Sequence, residues 1–245
     1  VGALPSEGIV PIAKTLDSAG ALGKSFTDAL RLYAAMRDRP WPAMRPIPCS
    51  SLRIAINIAN RSAVSEGQQS YLNRVLALLR TRGAAVEEIR QMPSPYLRVI
   101  MQWEFKPHLE AYLRASHAPL KTLREIVACY ESHPQTMMRY GIACLKSALE
   151  ETPGGLESPV YLEALSARKR AIRQAQATLA PYDAVIMTGP TNIMHFCGLP
   201  AATIIGNCPN LHGVPRGLIL YGADECRLYQ AALTLEAWIR EVSVR

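Results

Sequence analysis

The sequence predicts an α/β fold, and three observations carry that prediction. Short apolar runs with strand character recur at residues 51–57, 86–90, 182–187, 201–205 and 216–221. Segments with helical spacing stand between them, and the stretch 95–180 reads as mainly helical. With 49% hydrophobic and 19% charged residues over 245 positions, the chain has enough apolar side chains to bury a sheet against helices.

The elements follow in order. Residues 8–12 read as a short extended piece and 15–20 as a turn. Ser25 is placed to cap a helix over 25–36, with Asp28 three residues on. Four prolines (Pro40, Pro42, Pro46 and Pro48) forbid regular structure over 38–50. Residues 51–57 alternate like a strand, a helix over 65–82 ends at Gly83, and 86–90 form a second strand, giving a βαβ unit with a right-handed crossover. Helices are expected over 96–115, 119–131, 135–149 and 159–179, with Pro107 and Pro134 marking breaks or kinks. Residues 182–187 lack polar alternation and read as a buried strand. Two further strands, 201–205 and 216–221, flank a loop holding Pro209, Gly213 and Pro215, and a helix over 224–242 ends the chain.

Composition excludes several classes. No apolar stretch approaches the roughly 18–20 residues that span a bilayer, so no membrane partner is expected. The formal charge of +7 is spread along the chain, and only Arg168-Lys169-Arg170 clusters. A nucleic-acid partner is therefore not expected. Six dispersed cysteines (Cys49, Cys129, Cys144, Cys197, Cys208 and Cys226) fit free thiols in a reducing cytoplasm. The chain opens on Val1 without an initiator Met, and is read as a piece of something longer.

Four constellations bear on chemistry. His195, Cys197, Cys208 and His212 have zinc-like composition but lack tight knuckle spacing, so the cysteines read as core and no metal is expected. Lys14 with Ser18 is a conceivable base–nucleophile pair, although Ser18 in a turn more readily bonds its own backbone. Gly20 to Ser25 mimics the end of a phosphate-binding loop, but Ser18 stands where its first glycine belongs. The acid pairs Glu87-Glu88, Glu150-Glu151 and Asp224-Glu225 read as solvated.

Two regions together carry more. Residues 8–29 run Gly-Ile-Val-Pro-Ile-Ala-Lys-Thr-Leu-Asp-Ser-Ala-Gly into a small-residue turn and a helix containing Asp28-Ala29. Far downstream stand the buried run 182–187, the Gly198-Leu199-Pro200-Ala201 strand start, the Gly213-Val214-Pro215-Arg216-Gly217-Leu218 turn and a terminal helix with Leu235-Glu236-Ala237. In this order and spacing the chain resembles the C-terminal portion of the amidase signature family over essentially its whole length. Its middle, around 123–126 and 161–164, is similar to peptide-amidase-like and amidotransferase-like members.

That resemblance implies a single domain whose C-terminal part is residues 1–245: a mixed central sheet covered by helices on both faces, here incomplete, with an unpaired apolar edge. It also implies hydrolysis of a carboxamide by a Ser-Ser-Lys triad, in which a lysine deprotonates a bridging serine that activates the nucleophilic serine. In the family those residues precede the part matched by 8–20. No catalytic residue is assigned here, and the chain alone is expected to be inactive. No cofactor is implied. The expected partners are a small-molecule amide, once an N-terminal half completes the fold, and a second copy in a homodimer. Substrate contacts are expected at Thr191, Asn192, His195 and Phe196, in the loop following a strand's C-terminal end. Many members have Asn where His195 stands. The alternative reading is a degenerate, non-catalytic remnant serving as a binding or scaffold module.

Overall fold

The computed structural model describes residues 2–37, 40–59, 64–150, 152, 155–187, 191–207 and 216–242. The described helices, in chain order, are α1 (Phe26–Ala35), α2 (Glu66–Thr81), α3 (Tyr96–Ala115), α4 (Leu123–Ser132), α5 (Pro134–Met137), α6 (Ala143–Glu150), α7 (Pro159–Leu179), α8 (Ile193–Cys197) and α9 (Glu225–Glu236). The strands are β1 (Arg53–Asn57), β2 (Ala85–Ile89), β3 (Ala184–Met187), β4 (Ala201–Gly206) and β5 (Arg216–Tyr221). Two compact units contain them: Val1–Ala19 with Pro95–Arg170, and Gly20–Ser94 with Ala171–Arg245.

The second unit holds the sheet, in the order β2-β1-β3-β5-β4. β1 runs parallel to β2 and β3, while β5 is antiparallel to both β3 and β4. Register places Ile54, Ile56, Ala184, Ile186, Leu218, Leu220, Ala202 and Ile204 on one face, and all are buried. Burying each of the larger side chains contributes about 1.5–3 kcal/mol, which is why this face fixes the register. α2 and the turn after α9 lie against it. A Cβ added at Gly206, on that face, would stand 1.9 Å from the Tyr71 hydroxyl and 3.3 Å from Ile239. α2 presents Tyr71, Leu72, Val75, Leu76 and Leu79 inward, and Ser65 with Gln68 closes its N-terminus as a capping box. The opposite face is buried at Ala55, Val185, Met187 and Tyr221 but exposed along β4.

At the far end of the strands, Asp183 clamps β1 to α9. Its carboxylate accepts the Arg53 N–H at 2.7 Å and the Arg227 Nε–H at 2.8 Å, while Arg227 also donates to the Ala180 oxygen at 2.9 Å. α1 begins as expected, with Ser25 accepting the Asp28 N–H at 3.0 Å.

The first unit is helical. Its core gathers Leu109, Leu123, Val127, Ile142 and Ala148 from α3, α4, α6 and the turn before α6. Three expectations need correction here and at the C-terminus. α4 starts at Leu123 rather than 119, because Thr122 accepts the Glu125 N–H at 3.2 Å and fixes the cap. The helix expected over 135–149 is two, α5 and α6, since Gly141 at φ 72° turns the chain left-handed between them. The last helix stops at Glu236, and a 3-10 turn, Ile239–Glu241, follows. Pro107 does not end α3, which runs through it, and Pro134 opens α5 at a first-turn position.

Candidate functional site

The residues after β3 form a short turn of helix rather than a loop. α8 is five residues long, and Gly198 at φ 65° ends it, with the Leu199 N–H donating to the Met194 oxygen at 2.8 Å. The helical turn sorts its side chains. Phe196 and Cys197 are buried, His195 is exposed, and Thr191 and Asn192 lie between these extremes. Thr191 Oγ1 accepts the Ile193 N–H at 3.3 Å. Asn192 grips residue 94 through a reciprocal pair: the Ser94 N–H donates to its Oδ1 at 2.9 Å, and its Nδ2 donates to the Ser94 oxygen at 2.8 Å. The four residues singled out from the sequence therefore divide. Thr191, Asn192 and Phe196 build the turn, and His195 projects from it.

A buried polar network joins the strand ends, and sequence reasoning missed it. Asn57 closes β1 and is 5% exposed. Its Nδ2 donates to the Gln91 oxygen at 3.0 Å and to the Tyr221 hydroxyl at 3.1 Å, while its Oδ1 accepts the N–H groups of Gln91 and Ala59, both at 3.1 Å. Tyr221 in turn donates to Gln91 Oε1 at 2.9 Å. Burial pushes the Tyr221 hydroxyl up to about 12, the Asn57 amide pulling it back and the Cys197 sulfur adding to the rise. It is a neutral donor at physiological pH. The only signal in the sequence was a polar residue ending an apolar strand.

These groups order a rim and do not activate a nucleophile. The amides of Asn57, Gln91 and Asn192 do not titrate, and Cys197, at 5% exposure, is enclosed like a core residue. Among the described residues, no three His, Cys, Asp or Glu converge as a metal would require. His195 and Cys197 stand two apart on α8, one exposed and one buried, and Cys208 and His212 lie outside the described residues.

The remaining candidates resolve individually. The Ser18 hydroxyl donates to the Ala19 oxygen at 3.3 Å, so it serves its own turn. The phosphate-loop mimic is filled from within. At the N-terminus of α1, the Glu236 carboxylate accepts the N–H groups of Phe26 and Thr27 and the Thr27 hydroxyl, where a phosphate would sit. Asp224 and Glu225 are not merely solvated. Asp224 caps α9 through the Arg227 N–H at 2.8 Å, and Glu225 takes Arg37 at 2.9 Å together with the Tyr33 hydroxyl. That guanidinium also stacks 4.1 Å from the Trp41 ring centroid.

The first unit holds a second buried cluster that the sequence did not announce. Glu104 is fully buried on α3 and accepts the Thr15 N–H at 2.9 Å and the Tyr161 hydroxyl at 2.8 Å. His108 Nδ1 lies 3.5 Å from the same carboxylate and accepts the Lys14 N–H at 3.4 Å. Burial lowers the His108 imidazole, Glu104 raising it, Lys14 lowering it and Asp17 raising it. Asp17 accepts the N–H groups of Ile12 (2.9 Å) and Ala13 (3.1 Å), so the segment 12–17 is held at both ends.

Comparison with solved structures gives these features a context. Peptide amidase from Stenotrophomonas maltophilia superposes with a TM-score of 0.82 at 25% identity, covering 100% of this chain and 57% of its own. An amidase family protein from Bacillus anthracis gives 0.80 at 18% identity, over 97% of this chain and 51% of its own. A glutamyl-tRNA(Gln) amidotransferase from Thermotoga maritima gives 0.61 at 16% identity, over 96% and 56%. The chain thus spans between half and three-fifths of each of these proteins. No protein-family model matches the sequence, and no curated protein sequence does.

Proposed function

From an architecture that is that of the amidase signature enzymes, we propose that this chain is the C-terminal part of a carboxamide hydrolase. The observation that carries the reading is the superposition of all 245 residues on a peptide amidase at a TM-score of 0.82. In this reading, the nucleophilic serine, the bridging serine and the lysine come from an N-terminal segment, as the family resemblance implies. This chain supplies the rim at the C-terminal ends of β1 and β3. There, Thr191, Asn192, His195 and Phe196 face the amide substrate, with His195 the one exposed hydrogen-bonding side chain among them. The Asn57–Gln91–Tyr221 network holds that rim and stays neutral. A serine nucleophile has no substitute in the scaffold, and losing one from a triad costs a factor of about 10^6 in rate.

The test is ammonia release from a C-terminally amidated dipeptide. The 245-residue chain alone is expected to give no turnover above buffer. The same chain, joined to the part of the Stenotrophomonas peptide amidase that it does not match, is expected to turn over. Sustained release by the purified chain alone would overturn the reading. A stable, inactive assembly would replace it with the scaffold alternative.

A further inference from the structure

The sheet has two unlike edges. β2, at one end, carries Glu87 and Glu88, both exposed, with Glu87 accepting from Tyr182 at 2.7 Å and lying 3.9 Å from Arg53. Charges of this kind discourage another strand from pairing. β4, at the other end, reads Ala-Ala-Thr-Ile-Ile-Gly and has neither charge nor proline.

The direction of its free hydrogen-bonding groups follows from register. The Gly222 N–H donates to the Pro200 oxygen at 3.2 Å, which makes 200 and 222 a hydrogen-bonded pair. By the alternation of an antiparallel ladder, residues 202 and 204 bond β5, and the N–H and C=O groups of Ala201, Thr203 and Ile205 turn to the open edge. Among the described residues no strand pairs with that edge. The side chains of the same three residues are also exposed, Ile205 by 39%. α1 packs against β4, and its outer side carries Leu32 and Met36, four apart and 45% and 37% exposed. Leu22, just before it, is 93% exposed. An uncharged edge beside an apolar helix stripe is the surface of a fold that continues.

We propose that the open edge of β4 receives a β-strand from the segment that completes the amidase-type fold, and that the same segment covers Leu22, Leu32 and Met36. This rests on the reading above that such a segment exists. Two observations favour that occupant over a second copy. The peptide amidase matches this whole chain with 57% of its own length, so the remainder of that protein has a surface like this one to pack on. And only one of the two edges is left without charge, as a sheet extended on one side requires.

Hydrogen exchange tests it, on the 245-residue chain with and without the unmatched part of the Stenotrophomonas peptide amidase. Alone, the amides of Ala201, Thr203 and Ile205 are expected to exchange freely. In the complex they are expected to slow by on the order of 100-fold, as paired strand amides do. T203K and I205K, which put a charge beside the edge, are each expected to weaken the complex at least about tenfold while leaving the melting of the chain alone unchanged. Complex formation with these amides still exchanging freely overturns the proposal, as does no complex at all. Protection that rises with concentration in the chain alone assigns the edge to a second copy and overturns it too. Protection without amide turnover leaves the edge assignment standing and overturns the catalytic reading instead.

Discussion

Removing the Asn192 side chain should release the turn that carries the proposed substrate contacts. Two hydrogen bonds, at 2.9 and 2.8 Å, join it to the backbone of Ser94. Each contributes about 0.5–1.5 kcal/mol net, and part-buried peptide groups deprived of a partner add to the loss. N192A is therefore expected to cost about 2 kcal/mol, which for a chain of this size lowers Tm by about 4–8 °C. N192D separates geometry from mere occupancy. The introduced carboxylate still accepts the Ser94 N–H, but its second oxygen faces the Ser94 carbonyl where an amide nitrogen stood. Ionisation is thus disfavoured in the fold, and the folded pKa of the introduced group rises above its unfolded value of about 3.9. Near and below that unfolded value, the protonated acid donates to Ser94 and the variant approaches the parent. As pH rises through the folded pKa, it falls to the level of N192A or lower. The assay is Tm of parent and both variants from pH 4 to 8. A Tm for N192A within 1 °C of the parent, or a deficit in N192D that does not grow with pH, would refute this account of the turn.

Three further outcomes are expected. In G217A the new Cβ would meet the Ile204 carbonyl oxygen at 1.8 Å, a backbone atom that cannot swing aside; chemical denaturation should show a loss of about 1–3 kcal/mol, and an unchanged midpoint would count against the close β4–β5 approach. D183A strips an acceptor from both the Arg53 N–H and Arg227, and should cost about 2–3 kcal/mol; because Arg227 is 39% exposed, its coupling to Asp183 in a double-mutant cycle with R227M should be only about 1 kcal/mol. Burial holds Tyr33, Tyr161 and Tyr221 up to about 12, so the neutral form is the one the fold favours. Their contribution is complete below the unfolded value of about 10 and is lost as pH rises through about 12; tyrosinate absorbance and unfolding should rise together in that window, and titration of all three near 10 in the folded chain would contradict it.

Local pattern made part of this molecule readable. α3 spans 96–115 and α7 spans 159–179 as their spacing requires, and β1, β4 and β5 sit where short apolar runs end at proline, glycine or asparagine. The resemblance of residues 8–29 and 182–218 to the amidase signature family also agrees with the solved structures. α8 escaped notice because five residues do not complete two helical turns, so Ile193 to Cys197 carry no period to detect. Gly141 looked like one more small residue until its positive φ divided a helix. The polar assemblies were illegible for a different reason. Glu236 reaches α1 across 209 positions, Tyr221 reaches Asn57 across 164, and Glu104 reaches Thr15 across 89. Such partners meet only after the chain has folded, and no spacing rule announces them.

Asn57 has a consequence for how this protein would look among its kin. Two donors and two acceptors make up the whole capacity of its side chain, and Gln91, Tyr221 and Ala59 use all four. Aspartate would forfeit both donations, leucine everything, and glutamine would be a methylene too long for a site that admits almost no water. Selection should therefore keep asparagine there as strictly as it keeps a reactive group. A survey ranking positions by invariance would place it beside the catalytic machinery, although its task is purely architectural.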